Sequence, residues 1–447
     1  FGIGFFLSGT YWISKSLTYD ESLKNLVPFA IILIPLFLGL FFGLGTLIAG
    51  IFIKNNFLSI LFFCSIISFI DFLRGKIFTG FPWNLWAYSW SWFPEILQLI
   101  NVVGLYAFNL FTLIIFCLPL LLFFKRDKKN ISILLLLLVI FFSNYIYGSL
   151  RINKEVDKYN SKTLSKSENI NIKLVSPNFD LKYNISKQDL ENLIKKLIKF
   201  SEPKKNIKTI FVWPEGIFTG YNYNDLLSYQ NLFTENFSKN HTLIFGVNTI
   251  DKNLNYFNSF IAVNNKFEVI YKYNKKKLVP FGEFLPFENF LQKFGLKKIT
   301  QGYGSFSKGK EQDNLNINNF KILPLICYEI IFTELIQKNN NNSNLIINIS
   351  EDAWFGGSVG PQQHFAKAIF RAIENNTYLA RVANQGISAF ISNTGKTIKR
   401  LEPDEAGNIE LNIPLINNSS KNKNDLIFFI LLFTYTIIFF TFNKKLK

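Results

Sequence analysis

The sequence is poor in the residues that build metal centres and disulfide frameworks. Among its 447 residues are two histidines, three cysteines and no methionine. Cys64 and Cys117 lie in apolar runs, where cysteine usually acts as a small buried hydrophobe. The polar part of the chain therefore holds only Cys327, which excludes a disulfide there and makes this residue a candidate nucleophile. Two distant histidines and one cysteine do not make a zinc site, so we predict no metal.

Acidic residues are also scarce relative to basic ones. The chain has 31 Asp and Glu against 48 Lys and Arg, which gives a net charge of +17. Lys, Asn, Ile and Phe are abundant together, which is a bias expected of an AT-rich genome. No nucleic-acid motif accompanies the charge, so we do not predict nucleic-acid binding.

Apolar residues are concentrated in the first 150 residues and at the end of the chain. Hydrophobic residues make up 49% of the sequence, and 51 of them are Phe, which is unusual for a soluble protein. A spanning helix needs about 20 apolar residues. Six segments approach that length: 1–17, 27–53, 57–73, 96–124, 131–147 and 426–442. Residues 75–94 hold four tryptophans and are predicted to form a loop at the membrane–water interface.

Basic residues near the spans predict the orientation of the chain. Lys125, Arg126, Lys128 and Lys129 precede the fifth predicted span, and residues 444–447 include three lysines. Short positive loops stay in the cytoplasm. If the last two spans each cross the membrane once, both clusters are cytoplasmic and the polar domain between them is exported.

Residues 169–416 have the composition of a globular domain. Residues 1–150 are predicted as transmembrane helices, 151–168 as a linker, and 417–447 as a linker, a last span and a basic tail. Apolar β-rich runs alternate with polar helical stretches in the domain, which favours a layered α/β fold. Strands are predicted at 170–175, 209–213, 242–247, 258–264, 267–273, 320–326, 345–349 and 387–392. Helices are predicted at 187–201, 223–237 and 361–383.

Three residues with useful chemistry stand at or just beyond the ends of apolar strands. Glu215 follows IFVWP, Lys275 lies in YNKKKLVPFGEFLP, and Cys327 follows LPLI. Each alone has a common structural explanation: a surface glutamate, a basic turn or a buried cysteine. Together they offer a base, a cation and a nucleophile. A thiol of pKa about 8.5 needs a nearby base or cation to become a thiolate.

The order Glu–Lys–Cys, with the motifs WPE, YxKxxLVPFGE and CYE, resembles the nitrilase superfamily of carbon–nitrogen hydrolases. It is closer still to one membrane branch, the apolipoprotein N-acyltransferases, and the resemblance covers nearly the whole chain. Further matching segments are DFLR at 71–74, GFPWN at 80–84, NISEDAWFG at 348–356, GPQQH at 360–364, RAIE at 371–374 and NQGIS at 384–388. The resemblance implies an α/β fold, a nitrilase-type four-layer αββα sandwich, attached to a multi-helix transmembrane bundle.

The resemblance also implies roles for individual residues. Glu215 matches the general base, Lys275 the catalytic lysine and Cys327 the nucleophile. The residues implied to support the site or to bind substrate are Glu283, Tyr328, Glu329, Tyr183 and Trp354.

The chain departs from the family pattern at two positions and in its number of spans. Tyr183 stands where the family often has Trp, and Glu351 stands where Asn is usual. The branch usually has eight spans, and the sequence begins with Phe1 rather than Met. We therefore expect the true N-terminus and two more spans to lie upstream.

The activity implied by the resemblance is acyl transfer in two steps. Cys327 takes an acyl chain from a phospholipid as a thioester, and the α-amino group of a diacylglyceryl-apolipoprotein then accepts it. The resemblance implies no cofactor and a location in the bacterial inner membrane with the catalytic domain on the periplasmic face. We expect the protein to be a monomer.

Three other functions remain open at this point. A Cys/His hydrolase would pair Cys327 with His364. A membrane-tethered amidase of the nitrilase type would use the same three residues to hydrolyse a soluble amide. A transporter or receptor would need charged residues along its spans, and only Asp71 and Arg74, near the end of one span, fit that requirement.

Overall fold

The computed structural model describes residues 1–124, 128–164, 169–182, 185–291, 293, 305–338, 343–416 and 424–442. The helices of the N-terminal bundle are α1 (Gly2–Thr10), α2 (Val27–Gly50), α3 (Phe57–Arg74), α4 (Pro94–Leu97), α5 (Ile100–Val103), α6 (Leu105–Cys117), α7 (Leu120–Phe124) and α8 (Lys128–Leu164). The later helices are α9 (Lys187–Ser201), α10 (Tyr223–Leu226), α11 (Gln230–Asn236), α12 (Glu288–Leu291), α13 (Thr333–Lys338), α14 (Gly360–Asn375) and α15 (Asn424–Phe442).

Within those ranges, five helical segments are long and apolar enough to cross a membrane: Glu21–Gly50, Phe57–Arg74, Leu105–Phe124, Lys128–Asp157 and Asp425–Phe442. Residues 1–17, predicted as a further span, form the nine-residue α1 and part of a 3-10 helix at Tyr11–Tyr19. The predicted span 96–124 is interrupted at Gly104, whose φ of 81° separates α5 from α6. A residue with a side chain adopts this backbone conformation only at a cost.

The strands of the described part form two six-stranded sheets. The strands are β1 (Asn169–Ser176), β2 (Thr209–Val212), β3 (His241–Ile250), β4 (Tyr256–Val263), β5 (Val269–Asn274), β6 (Leu315–Ile317), β7 (Phe320–Ile326), β8 (Leu345–Glu351), β9 (Tyr378–Asn384), β10 (Ser388–Ile391), β11 (Thr397–Leu401) and β12 (Gly407–Pro414). The first sheet has the order β12-β1-β2-β3-β4-β5, and the second has the order β11-β10-β9-β8-β7-β6. Strands β1, β2 and β3 are parallel to one another, as are β7, β8 and β9.

The two sheets pack face to face with helices on both outer sides. Ile172 of the first sheet and Ile347 of the second belong to one core between the sheets. Helix α9 covers the outer face of the first sheet, where Leu190 shares a core with Phe211. Because successive strand residues point to opposite faces, Ile346 faces away from Ile347. It joins a third core with α14. This arrangement is the αββα sandwich implied by the resemblance.

The third core also includes residues of the helical bundle. Phe365 and Ile369 of α14 share this cluster with Trp83, Leu110 and Phe428, which lie in or beside the bundle. The outer face of the second sheet is therefore covered by α14 and by the bundle together.

Two of the predicted helices differ from those observed. The predicted helix 361–383 ends at Asn375, because Asn376 adopts a left-handed conformation (φ 50°). The chain then continues as strand β9, buried at every position. The predicted helix 223–237 is divided into α10, a 3-10 turn at Leu227–Tyr229 and α11.

Candidate active site

The three residues predicted to be catalytic follow strands whose ends meet at one edge of the sandwich. Glu215 lies three residues beyond β2, Lys275 directly follows β5, and Cys327 directly follows β7. The first two strands belong to one sheet and β7 belongs to the other. Loops at the carboxyl ends of parallel strands are the usual position of ligand sites in such folds.

Lys275 lies between two carboxylates. Its Nζ is 3.2 Å from Oε1 of Glu215 and 2.9 Å from Oε1 of Glu283. Burial alone would lower the pKa of Lys275, but the two carboxylates raise it above its ordinary value. The lysine is therefore a fixed positive charge in the site at any physiological pH.

Asn258 holds the same two carboxylates from the other side, and its role was not predicted from the sequence. Its Nδ2 donates to Oε1 of Glu215 at 2.6 Å and to Oε1 of Glu283 at 2.7 Å. The second oxygen of Glu283 accepts a hydrogen bond from the backbone N–H of Val279. Glu283 thus positions both Lys275 and the loop that follows it through its hydrogen bonds.

Cys327 stands on a sharp turn between β7 and a 3-10 helix. Its φ is +47°, a left-handed conformation that costs a non-glycine residue roughly 1–2 kcal/mol. Burial raises the pKa of its thiol, the Glu215 carboxylate raises it further, and the Lys275 ammonium lowers it, with a net rise. The resting side chain is therefore a thiol, and its proton must leave as the sulfur attacks.

Glu329 holds the turn of Cys327 against the loop of Lys275. Its Oε2 accepts from the backbone N–H of Ile326 at 2.9 Å. Its Oε1 accepts from the backbone N–H groups of Lys276 (2.7 Å) and Lys277 (3.1 Å) and from the hydroxyl of Tyr273 (2.9 Å). This buried carboxyl group therefore sets the relative position of the nucleophile and the lysine, which belong to different sheets.

Tyr328 connects the same turn to the membrane part of the chain. Its hydroxyl donates to the backbone carbonyl of Gly80 at 2.9 Å. Trp83, predicted to lie at the membrane–water interface, is instead buried, and its Nε1 donates to Oε1 of Gln363 on α14. Trp92 in the same loop is 58% exposed, as expected for an interfacial residue.

His364 lies much closer to Cys327 than the sequence suggested. Its Nε2 is 3.2 Å from the backbone carbonyl oxygen of Cys327, and its Nδ1 is 3.0 Å from Oδ1 of Asp352. Arg381 pairs with Oδ2 of Asp352 at 2.7 Å. Burial lowers the pKa of His364, and the Arg381 guanidinium lowers it further. The expectation that His364 and Cys327 are distant was wrong.

These contacts bear on the predicted absence of a metal. One ligand atom each of Cys327, Asp352 and His364 lies within 4.8 Å of the others, so a candidate metal-ligand group does exist. Arg381 lies 2.7 Å from the carboxylate and 3.1 Å from Nδ1 of His364. Arg381 thus already neutralises the Asp352 carboxylate and places a positive charge beside two of the three residues, so this group fits a metal cation poorly. The second histidine, His241, lies at the start of β3, where its Nε2 contacts the backbone oxygen of Lys204.

Of the two remaining residues predicted to bind substrate, the structure describes only Trp354. Trp354 follows β8 in a 3-10 helix, and its ring meets that of Tyr19 edge to face with centroids 5.6 Å apart. Tyr183 lies outside the described residues.

The fold and the site together define a carbon–nitrogen hydrolase. The profile of the family described as carbon-nitrogen hydrolase matches residues 181–417, and that of the apolipoprotein N-acyltransferase N-terminal domain matches residues 1–118. The chain belongs to the apolipoprotein N-acyltransferase family. With its apolar helices, it is a bacterial membrane protein.

Curated relatives resemble the chain along most of its length. The apolipoprotein N-acyltransferase of Rickettsia bellii is 32% identical over 100% of this chain and 88% of its own. That of Rhodopseudomonas palustris is 30% identical over 93% of this chain and 79% of its own.

Among solved structures, a nitrilase-superfamily protein of Saccharomyces cerevisiae covers 55% of this chain and 90% of its own, with a TM-score of 0.40 and 18% identity. A carbon–nitrogen hydrolase of Xanthomonas campestris covers 55% of this chain and 91% of its own, with a TM-score of 0.40 and 13% identity.

Proposed function

We propose that the protein transfers an acyl chain from a phospholipid, through a thioester on Cys327, to the α-amino group of the N-terminal diacylglyceryl-cysteine of lipoproteins. One observation carries the chemistry: the Lys275 ammonium lies 3.2 Å from the Glu215 carboxylate, and both groups interact electrostatically with the Cys327 thiol. A base, a cation and a nucleophile close together are what acyl transfer through a thioester needs.

In the first step Glu215 removes the proton of the Cys327 thiol while the sulfur attacks the ester carbonyl carbon of the phospholipid. Negative charge develops on the carbonyl oxygen, and the Lys275 ammonium stabilises it. The tetrahedral intermediate then expels the lysophospholipid alkoxide, which takes the proton held by Glu215. The products are lysophospholipid and an acyl thioester, and Glu215 is a carboxylate again.

In the second step the neutral α-amino group of the acceptor attacks the thioester carbonyl carbon. Glu215 removes a proton from the attacking nitrogen, and Lys275 again faces the oxyanion. Collapse of the intermediate forms the amide and breaks the carbon–sulfur bond. The sulfur receives the proton from Glu215, which restores the resting thiol.

Aromatic residues in the loop after Lys275 support a lipid substrate. Phe281, in the loop between Lys275 and α12, is 47% exposed, Phe287 is 81% exposed, and Phe284 is intermediate in exposure. With the aromatic loop 78–93, these rings are candidates to guide acyl chains to Cys327. Leu285 is buried and supports this loop from inside rather than lining its surface.

The proposal includes a topology. The domains are residues 1–150 (transmembrane helices), 151–168 (linker), 169–416 (catalytic domain) and 417–447 (linker, last span and basic tail). The catalytic domain lies on the periplasmic face of the inner membrane, because the basic residues beside the last two spans favour the cytoplasm. The protein acts as a monomer and without a cofactor.

Mass spectrometry of the intact protein in detergent micelles tests the first step. Exposure to phosphatidylethanolamine should add one acyl group, removable by hydroxylamine and mapped to the peptide containing Cys327. A diacylglyceryl peptide added next should gain this acyl group as an amide, and the protein should return to its original mass.

The acceptor distinguishes this function from the alternative of a membrane-tethered amidase. An amidase would pass the acyl group to water at the same rate with or without the diacylglyceryl peptide, and it would hydrolyse soluble amides. A Cys327→Ala protein is the control, because its side chain has no atom that can carry the acyl group.

A further inference from the structure

Glu351 is a buried carboxyl group that the mechanism above does not use. It ends strand β8 and is 3% exposed. Its Oε1 accepts from the backbone N–H of Ala353 at 3.0 Å. Nδ2 of Asn384 donates to both of its oxygens, at 3.1 and 2.9 Å. The side chain is thus held in one place by two neighbouring segments.

Glu351 lies directly against the proposed general base. Its backbone N–H donates to Oε2 of Glu215 at 3.1 Å. Its side-chain Oε2 lies beside Gly216, where an added Cβ would approach it to 2.6 Å. Glu351 therefore lies against both Glu215 and Gly216, and the missing side chain of Gly216 leaves the space that Glu351 occupies.

The charges around Glu351 oppose its ionisation. The acidic groups facing it are Glu215 and Asp352, and Tyr19 approaches from the N-terminal segment. Among the described residues, no Lys, Arg or His nitrogen lies within 4.0 Å of its oxygens. Lys275 is paired with Glu215 and Glu283, and Arg381 is paired with Asp352. Burial raises the pKa of Glu351 well above its ordinary value. The hydrogen bonds from the Ala353 N–H and the Asn384 side chain offset part of this rise, and the charges of Glu215 and Asp352 add to it.

We propose that Glu351 is a positioning residue: its side chain, as a neutral carboxylic acid anchored to Ala353 and Asn384, fixes the backbone N–H that holds the Glu215 carboxylate. Two adjacent carboxyl groups titrate together, so the group that keeps the proton leaves the other free to act as base. The ammonium of Lys275 lies 3.2 Å from Glu215, whereas among the described residues no cationic side chain is paired with Glu351, so Glu351 is the member of the pair that keeps a proton.

Asn384 extends this arrangement to the loop after β1. The Nδ2 that contacts Glu351 also donates to the backbone carbonyl of Phe179 at 2.9 Å, and Oδ1 of Asn384 accepts from the Phe179 N–H at 2.8 Å. Glu351 therefore joins the base to the segment that leads toward Tyr183. A change at Glu351 should disturb both.

Infrared difference spectroscopy tests the protonation state without any substrate. The spectrum of the wild type minus that of Glu351→Gln at pH 7 should show the carbonyl band of a protonated carboxyl group. The exposed Glu268→Gln serves as the matched control and should show only the bands of a carboxylate. A carboxylate band in place of the acid band for Glu351 would overturn the proposal.

Stability against pH gives a second test that needs no activity. A folded-state pKa above the unfolded value means that this contribution to stability is complete below the unfolded pKa and is lost as pH rises. Glu351→Gln lacks this loss, so its Tm relative to the wild type should increase from pH 5 to pH 9. A difference that stays constant or falls over this range would contradict the proposal.

The kinetic test rests on the proposed function. The rate of thioester formation from phosphatidylethanolamine should fall about tenfold in Glu351→Ala, because residue 351 loses its anchors to Ala353 and Asn384 and its N–H no longer fixes the Glu215 carboxylate. Glu351→Gln should recover it to within about threefold, because a neutral amide can take the place of a neutral acid. Glu351→Asn serves as a second variant if the Ala protein does not fold.

The outcomes separate this inference from the proposed function. Equal loss in the Ala and Gln variants would mean that the charge is required, and full activity in the Ala variant would mean that Glu351 positions nothing. Either result overturns the inference while acyl transfer stands. A wild type that forms no thioester rejects the proposed function, and the infrared and stability tests still decide the state of Glu351.

Discussion

Two buried ionic clusters flank Cys327, and they differ in net charge. The first joins Lys275 with the carboxylates of Glu215 and Glu283, which leaves one negative charge. The second joins Asp352 with Arg381 and a neutral His364, which leaves none. Both clusters are almost completely buried, and both lie within reach of the same sulfur atom.

The difference in charge indicates that the two clusters have different roles. A cluster with an uncompensated carboxylate can accept a proton and give it back, which is what general acid–base chemistry requires. A cluster whose single carboxylate is already paired with a guanidinium has no uncompensated charge with which to accept a proton, and it suits a structural role. The first cluster is therefore expected to control the rate of acyl transfer, and the second is expected to control stability.

The largest expected effect comes from removing the cation of the first cluster. Lys275→Met should lower the rate of thioester formation by about 10³-fold, because the oxyanion loses its main stabilising charge. Intact-protein mass spectrometry after timed exposure to phospholipid measures it. Lys276→Met is the matched control, because the Lys276 ammonium pairs with Glu311 instead. Equal effects of the two substitutions would remove the distinction between these lysines.

Breaking the second cluster should affect stability more than chemistry. Asp352→Asn leaves the Arg381 guanidinium buried without its counter-ion and should lower the free energy of unfolding by about 3–5 kcal/mol. Thermal unfolding in detergent measures this change. Glu402→Gln breaks the exposed pair with Arg400 and should cost less than about 1 kcal/mol. A small effect in the first variant would mean that the neutral cluster is not structural.

Phe281 and Phe284 allow phospholipid binding to be tested separately from the chemical step. Replacing Phe281 and Phe284 with Ser should raise the phospholipid concentration needed for half-maximal acylation about tenfold, because apolar contact area is lost. Acylation by a short soluble ester should be unaffected. Leu227→Ser, at an exposed position outside the site, is the control. Equal losses with both substrates would place these rings in the chemistry instead.

The smallest expected effect is that of His364→Gln on the rate. The ring contacts the Cys327 backbone oxygen, and an amide can donate the same hydrogen bond, so thioester formation should fall by less than about tenfold. A Cys/His hydrolase would instead lose its base and show no acyl-enzyme.

His364 also predicts a weak pH dependence of stability. Its folded-state pKa lies below the unfolded value, so its contribution to stability is complete above about pH 6.5 and is lost as pH falls. The His364→Gln protein should therefore lose less stability than the wild type between pH 7 and pH 5. Parallel curves for the two proteins over this range would contradict the assignment of a neutral histidine.

Sequence patterns predicted the first cluster better than the second. Glu215, Lys275 and Cys327 each stand at or just beyond the end of an apolar run, and the resemblance of their motifs to those of the nitrilase superfamily linked them. Asn258 and Arg381 belong to strands and carry no comparable local signal. Their roles depend on which side chains face one another across sheets, and no single-sequence pattern encodes that information.

The same limit explains the errors in secondary structure. The apolar run after Pro361 continues past residue 375, so helical periodicity alone did not indicate an end. Asn376 and Thr377 interrupt it, and the residues beyond them become β9 because neighbouring strands β8 and β10 pair with them. Pairing with neighbouring strands therefore determines the secondary structure of residues 378–384. For α9, helix propensity and length were enough to predict the helix, and its bounds agree with the prediction.

The core that α14 shares with the bundle has a consequence for biogenesis. The αββα domain presents residues such as Phe365 and Ile369 to partners in the apolar helices, so we expect its packing to be completed only after those helices are in place. Until then the outer surface of α14 is an exposed apolar patch, of the kind that binds chaperones or leads to aggregation. Assembly of this chain is therefore expected to be ordered in time, with insertion preceding the last stage of domain folding.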